Sequence, residues 1–296
     1  MFIKRIKSDC VLLQRPIAHK GVHGKLNGKV IQGNSLEALK LAIELNIPFE
    51  FDILKTKDNI PVVFHDFVLT ISGKEYLLNK LTLNEIRELT KDSEYIPTLE
   101  EIVQLNAKHV PMMLDFKETT FIFLNEYRRN IIKILKDYTG EFAIESFNPF
   151  FVFRMGQELK HALTGQLICR GKTLIDTFDF LTKPSIGNLY EKIQSIICFI
   201  ANSDFIAMEI SPNAKWNFKA QKLISEKVDQ LQNSIVGITS TITKKPVLGW
   251  TLCSLEDVAI APHIFKNYIY DVPSDDISEY AFFDKVLQNV MKNEHI

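Results

Sequence analysis

The sequence predicts an α/β chain whose strands close into a (β/α)8, or TIM, barrel. Three observations carry that expectation. Eight short apolar runs recur along the chain. Helix-like segments lie between most of them. The 296 residues suffice for one barrel of about 250 residues with additions. Apolar residues make up 46% of the chain and charged residues 24%, so it can build a core without disulfide or metal staples.

The runs are Ile17–His19, Phe49–Leu54, Pro111–Phe116, Phe142–Ser146, Leu163–Ile168, Phe205–Ile210, Pro246–Thr251 and Asn267–Asp271. Their apolar continuity fits strands buried on both faces, as in a parallel sheet. Strand–helix alternation points the same way. A doubly wound open sheet is the alternative, but no Gly-rich dinucleotide turn follows the first run.

Among the helices, Ser35–Leu45 places Leu36, Leu39 and Ile43 on one face, behind a cap at Asn34 or Ser35. Tyr127–Tyr138 carries Ile131, Ile132 and Leu135 at helical spacing, and Lys215–Leu231 is a longer candidate. One region breaks the alternation. Lys57-Asp58-Asn59 signals a turn, and Pro61–His65 reads as the second arm of a hairpin. Residues 67–108 are expected to form a small helical insertion at one barrel end. Within it, Thr82 with Glu85 and Thr98 with Glu101 fit capping boxes. The stretch Val22–Ile31 reads as a flap at the mouth or a solvated loop. From Ser274 the chain ends in a docked helix, completing one domain over residues 1–296.

Lys+Arg (35) and Asp+Glu (36) nearly cancel, leaving a net charge of −1. That balance argues against nucleic acid as an obligate partner. Cys10, Cys169, Cys198 and Cys253 form no C-x-x-C pair and read as thiols of a reducing compartment. No stretch approaches the roughly 20 apolar residues of a membrane span. Met1–Arg15 lacks the apolar core of a signal peptide. A soluble, cytoplasmic chain is expected, of unspecified oligomeric state. G-x-S-x-G, P-loop and H-E-x-x-H motifs are absent from the sequence, so three common hydrolase chemistries lose support.

Four constellations could carry chemistry. Ala18-His19-Lys20-Gly21 ends the first strand. Glu50 and Asp52, two residues apart on a strand, project to one face. Two carboxylates inside an otherwise apolar strand demand a cation or several donors. His65-Asp66 closes the hairpin, and Asp115-Phe116-Lys117 ends the third strand. Each alone has an ordinary structural reading. In an α/β barrel, however, strand ends meet at one mouth, where active sites sit.

The order A-H-K-G, N-S-L-E-A, E-F-D, P-V-V-F-H-D and D-F-K resembles the glycerophosphodiester phosphodiesterase family, part of the PLC-like phosphodiesterase superfamily. Leu81–Leu89, Ile96–Glu101, Ser146-Phe147-Asn148-Pro149, Gly249-Trp250-Thr251 and Tyr270-Asp271-Val272-Pro273 extend the likeness. The resemblance implies a TIM barrel that hydrolyses glycerophosphodiesters, small-molecule substrates, to glycerol 3-phosphate and an alcohol. It implies that Glu50, Asp52 and Asp115 ligate one divalent cation, Mg²⁺ or Ca²⁺. It implies an acid/base pair in His19 and His65, in an order left open. Lys20 and Lys117 would hold the phosphate. Asp66 would orient its neighbour or cap the turn, and Phe147 and Trp250 would wall the glycerol side or simply pack.

The chain departs from the family pattern at Lys20 (for Arg), at Gly33 (for the Glu before Asn34) and at Asp115 (for Glu). Those departures motivate the first of two further readings that stand beside the phosphodiesterase. One is a degenerate barrel that binds phosphodiesters without turnover; the other is a phosphodiesterase for lysophospholipids or wall polymers. His23, His109, His161, His263 and His295 are expected to be surface or structural residues.

Overall fold

A computed structural model describes residues 10–93, 95–117, 125–169, 184–209, 245–254, 265–272, 274 and 276–294. In chain order, β1 (Ile17–Ala18) leads into the short strands β2 (Gly24–Leu26) and β3 (Lys29–Ile31), then α1 (Leu36–Leu45) and β4 (Phe49–Lys55). Next come β5 (Pro61–Val63), β6 (Val68–Ile71), β7 (Lys74–Leu77), α2 (Leu83–Thr90), α3 (Leu99–Leu105) and β8 (Met112–Phe116). They are followed by α4 (Asn125–Leu135), β9 (Phe142–Ser146), α5 (Pro149–Glu158), β10 (Leu163–Ile168), α6 (Pro184–Ala201) and β11 (Phe205–Glu209). The last elements are β12 (Val247–Leu252), β13 (Asn267–Tyr270) and α7 (Tyr280–Glu294).

Eight of these strands close on themselves in the order β1-β4-β8-β9-β10-β11-β12-β13, all parallel. The two-residue β1 is the closing strand, because Ala18 pairs with both Phe49 and Tyr270. This is the (β/α)8 barrel the sequence predicts. The Lys215–Leu231 helix lies outside the described residues.

Alternation along the strands divides two cores. Phe49, Phe51, Leu114, Phe116, Phe142 and Ile144 pack outward into the helices. Ile17, Met113, Ala143, Leu163, Leu167, Ala207, Leu248 and Ile269 cluster together as the barrel interior. Leu12 and Leu13 of a 3₁₀ turn join that interior cluster. The Glu141 carboxylate accepts from the N–H groups of Val11 and Leu12, at 3.0 and 2.6 Å. Asn267 Nδ2 donates to the carbonyls of Leu12 and Arg15, both at 2.7 Å. Glu141 and Asn267 stand where β9 and β13 begin. The turn therefore plugs the N-terminal end and leaves the opposite end for chemistry.

Two expectations change. The stretch Val22–Ile31 is a β-ribbon of β2 and β3, turning at Asn27-Gly28 with φ of 50° and 81°. Residues with positive φ at both central positions suit a two-residue hairpin. The excursion after β5 is not helical throughout. It contains the β6–β7 hairpin, turning at Ser72-Gly73 with φ of 50° and 76°, followed by α2. Leu54, Val62, Leu69, Leu78, Ile86 and Ile96 give it a small core of its own. α3 lies against α1 and α4, and its Leu99 and Ile102 join the main core. Both capping boxes form, at Thr82/Glu85 and Thr98/Glu101.

Candidate active site

The interior changes character at the C-terminal ends of the strands. Met113 and Ala143 belong to the apolar interior, so Asp115 and Glu145, two residues on, share that face. The parallel register sets Asp52 beside Asp115 and Asp115 beside Glu145. Glu50, one pleat below Asp52, aligns with Met113. Glu50, Asp52 and Asp115 each offer an oxygen within 4.8 Å of the others. All three, and Glu145, are at most 5% exposed.

Lys117 is the buried counter-charge. Its Nζ lies 2.8 Å from Asp52 Oδ1 and 2.5 Å from Asp115 Oδ2. Asn34 holds Asp52 from the other side. Its Nδ2 donates to Asp52 Oδ2 at 2.7 Å, and its Oδ1 accepts from the Asp52 N–H at 3.0 Å. Burial alone would raise Asp52, but Lys117, with help from His65 and Lys20, holds it below the usual carboxylate range. Burial raises Asp115, and Asp52 adds to that against the pull of Lys117. Burial, then the charges of Asp52 and Asp115, raise Glu50 well above its ordinary range. Burial, then Asp115, raises Glu145 in the same way. Lys117 is driven further toward its charged form by Asp115 and Asp52, against the effect of its own burial.

Four buried carboxyl groups thus face one buried ammonium. Asp115 Oδ1 and Glu145 Oε2 are buried and accept no hydrogen bond. Unsatisfied buried oxygens of this kind call for a compensating ligand. An all-oxygen donor set of surplus negative charge fits a hard divalent cation.

The two histidines of the first and third constellations stand on the same end of the barrel. His19 follows β1, with its N–H donating to the Tyr270 carbonyl at 2.9 Å. Its Nδ1 lies 3.0 Å from Asp271 Oδ2, which leaves Nε2 for chemistry. His23 Nε2 lies 3.1 Å from Asp271 Oδ1. His19 and then His23 hold Asp271 well below the carboxylate range, although its burial works the other way. His65 follows β5, is 44% exposed, and sets its Nδ1 2.7 Å from Asp66 Oδ1. It opens on a cleft of about 410 Å³ lined also by Gln32, Asn34, Asp66, Thr70 and Tyr95.

The remaining sequence candidates fall into three kinds of place. Lys20 donates its backbone N–H to Glu50 Oε2 at 3.0 Å, from a left-handed conformation with φ of 54°. The Lys117 ammonium is engaged by carboxylates. Phe147 and Trp250 meet edge to face, with ring centroids 6.1 Å apart and planes at 80°, on the interior cluster. The buried Trp250 indole N–H meets no acceptor.

Sequence reasoning passed over Glu145, read Asn34 only as a possible helix cap and His23 as a surface or structural residue, and gave Asp271 no role. The phase of Glu145 with Ala143 was the available signal. His23 had none, because its partner is 248 residues away. The other described histidines are structural: His109 packs edge-on against Tyr138, and His161 faces the Leu135 carbonyl. His263 and His295 lie outside the described residues.

Residues 19–197 match the model of the glycerophosphoryl diester phosphodiesterase family. A stretch of 84 residues is 37% identical to glycerophosphocholine phosphodiesterase of Eremothecium gossypii, covering 27% of this chain and 6% of that protein. Identity to the Candida albicans protein of the same name is 34% over 84 residues, covering 27% and 7%. The match thus spans only a small part of these curated relatives. Among solved structures, the fold is similar to an Oleispira antarctica phosphodiesterase in complex with its product sn-glycerol-3-phosphate. That likeness has a TM-score of 0.60 at 19% identity and covers 91% of this chain and 96% of that one. A glycerophosphodiester phosphodiesterase of Thermotoga maritima gives a TM-score of 0.56 at 20% identity, with the same coverage.

Proposed function

The chain belongs to the glycerophosphoryl diester phosphodiesterase family, and we propose that it hydrolyses glycerophosphodiesters to glycerol 3-phosphate and an alcohol. The observation that carries this reading is the convergence of Glu50, Asp52 and Asp115 at the open end of adjacent parallel strands. These residues would hold one divalent cation, Mg²⁺ or Ca²⁺. The chemistry supplied by such a cation is polarisation of a phosphoryl oxygen and relief of charge building in the transition state.

The protein's own part follows from its geometry. Each imidazole has its Nδ1 against a carboxylate, Asp271 for His19 and Asp66 for His65. That fixes the tautomer with a proton on Nδ1 and presents Nε2 as the working nitrogen. Between them, one Nε2 takes the proton of the attacking oxygen and the other returns a proton to the leaving alkoxide. Lys117, between Asp52 and Asp115, and Lys20, whose charge acts on Asp52, set positive charge near the phosphate. Phe147 and Trp250 wall one side, with the indole N–H available as a donor. The cleft beside His65 is open to the alcohol moiety.

The relatives' name makes glycerophosphocholine the first substrate to test. The experiment measures release of glycerol 3-phosphate with Mg²⁺ or Ca²⁺, with chelator, and in His19→Ala and His65→Ala. Each substitution is expected to reduce turnover about 10²–10⁴-fold, and chelation to abolish it. Hydrolysis untouched by both substitutions overturns the acid/base pair. Binding of the diester without any turnover supports the degenerate-barrel alternative instead.

A further inference from the structure

The carboxylate centre is not the sole group of metal-ligating atoms among the described residues. His19, His23 and Asp271 also each offer one ligand atom within 4.8 Å of the others. They come from the end of β1, the start of the β2–β3 ribbon and the end of β13. We propose that they form a second metal site, for a borderline cation such as Zn²⁺, whose occupation switches the site off. The inhibitory part rests on the function proposed above; the binding part does not.

The geometry is close to what such an ion needs. Asp271 Oδ1 lies 3.2 Å from His19 Nδ1 and 3.1 Å from His23 Nε2. Nitrogen and oxygen ligands at 2.0–2.1 Å from a tetrahedral zinc are roughly 3.3 Å apart. The two nitrogen–oxygen separations already match that spacing. Cys253 Sγ stands 3.9 Å from Asp271 Oδ2, within reach as a fourth donor. The side chains of His19, His23 and Asp271 are 24%, 27% and 26% exposed, so an ion can enter from solvent. The His23 ring is steadied edge-on by Tyr280, at 6.3 Å between centroids.

The donor types choose the ion. Two imidazoles, a carboxylate and a thiol favour Zn²⁺ over Mg²⁺ or Ca²⁺, whereas the buried all-oxygen centre favours hard ions. One mouth therefore holds two sites of opposite preference. Coordination through Nδ1 takes that nitrogen's lone pair and leaves the ring's single proton on Nε2. Any second proton on either imidazole, and the thiol proton if Cys253 joins, goes to solvent. Nε2 then has no lone pair with which to accept a proton, and Asp271 no longer receives a hydrogen bond from Nδ1. His19 leaves the acid/base cycle.

The experiment uses the full chain with its oxygen site saturated by Ca²⁺. Co²⁺ is added as a spectroscopic stand-in for Zn²⁺. The expected result is visible absorption of the strong, tetrahedral type with a thiolate-to-cobalt band in the near ultraviolet. Cys253→Ser is expected to abolish the near-ultraviolet band alone, and His23→Gln to abolish tetrahedral binding. Zn²⁺ is expected to inhibit glycerophosphocholine hydrolysis. In His23→Gln, measured against its own uninhibited rate, the inhibitory concentration should rise roughly ten-fold or more. Weak octahedral absorption in the unaltered chain overturns the site. So do a tetrahedral spectrum and Zn²⁺ inhibition that persist undiminished in His23→Gln. A charge-transfer band surviving in Cys253→Ser removes the thiol from the ligand set. Should His23→Gln misfold by circular dichroism, the cobalt spectrum of the unaltered chain and of Cys253→Ser still decides. That spectrum is readable even if no diester is hydrolysed, so failure of the site and failure of the proposed function are distinguishable.

Discussion

His19 and Asp271 stand side by side because β1 and β13 are parallel and pair Ala18 with Tyr270. The next residue of each strand carries the imidazole and the carboxylate, 3.0 Å apart. Neighbours at one level of a parallel pair project to one side, so barrel closure itself makes the contact. In Asp271→Asn the amide keeps the shape but loses the charge that fixes the imidazole tautomer. We expect kcat to fall about 10²–10⁴-fold with KM changed little. Steady-state kinetics on glycerophosphocholine checks this. A kcat close to that of the unaltered chain would leave His19 without need of its carboxylate.

Lys117 is buried between Asp52 and Asp115. Lys117→Met keeps much of the volume and removes the charge. Breaking a buried pair in this way costs about 3–5 kcal/mol. Its pH dependence follows from Asp52, held below its ordinary 3.8. The unfolded chain protonates first on acidification, so the pair stabilises above about pH 4 and that contribution fades as pH falls through the folded value. The stability gap between Lys117→Met and the unaltered chain should therefore be widest at pH 7 and smaller, though not closed, at pH 3. Chemical denaturation at both pH values, without divalent cation, measures it.

How much of this was legible in the sequence depends on the range of the interaction. Glu50 and Asp52 betrayed themselves because two carboxylates two residues apart interrupt an apolar strand. Asp115 and Lys117 did so by the same spacing. The barrel strands were legible as apolar runs, since both faces of each are buried. The β2–β3 and β6–β7 hairpins were missed although Asn27-Gly28 and Ser72-Gly73 are turn pairs, because their flanking residues are half exposed and lack apolar alternation. Asn34 was seen only as a possible helix cap; Ser35 caps α1 instead, freeing Asn34 to hold Asp52. The pairing of His23 with Asp271 has no local signature, since it exists only after the first and last strands meet.

Glu145 is a buried carboxyl group with one oxygen lacking a hydrogen-bond partner. Burial, with Asp115 nearby, raises it well above its ordinary 4.5. The unfolded chain gives up this proton near pH 4.5, while the folded chain keeps it to higher pH. Glu145 therefore opposes folding increasingly as pH rises between those values. Glu145→Gln removes the penalty and keeps the shape. Without divalent cation we expect a higher Tm for the variant at pH 7, the gain vanishing near pH 4. Calorimetric melting at the two pH values tests the sign; a lower Tm at pH 7 would refute it.

Gly33, where the family pattern has Glu, is held small by packing. A Cβ there would lie 2.9 Å from Lys20 Cβ, 3.3 Å from Lys20 Cδ and 3.4 Å from His23 Cδ2. The loops on either side are tied by the Asn34 N–H donating to the Lys20 carbonyl at 2.9 Å. Pushing them apart displaces Asn34 from Asp52 and Lys20 from Glu50 together. Gly33→Ala should thus cost about 1–3 kcal/mol by overpacking and lower kcat/KM, with weaker cation binding by calorimetric titration. Gly28→Ala is the control. Its Cβ would meet nothing within 4 Å, and its φ of +81° imposes a backbone penalty of about 1 kcal/mol at the ribbon tip. That variant should lose stability and keep its kinetics. If Gly33→Ala also kept its kinetics and cation affinity, the contact between Gly33 and Lys20 would be a matter of folding alone.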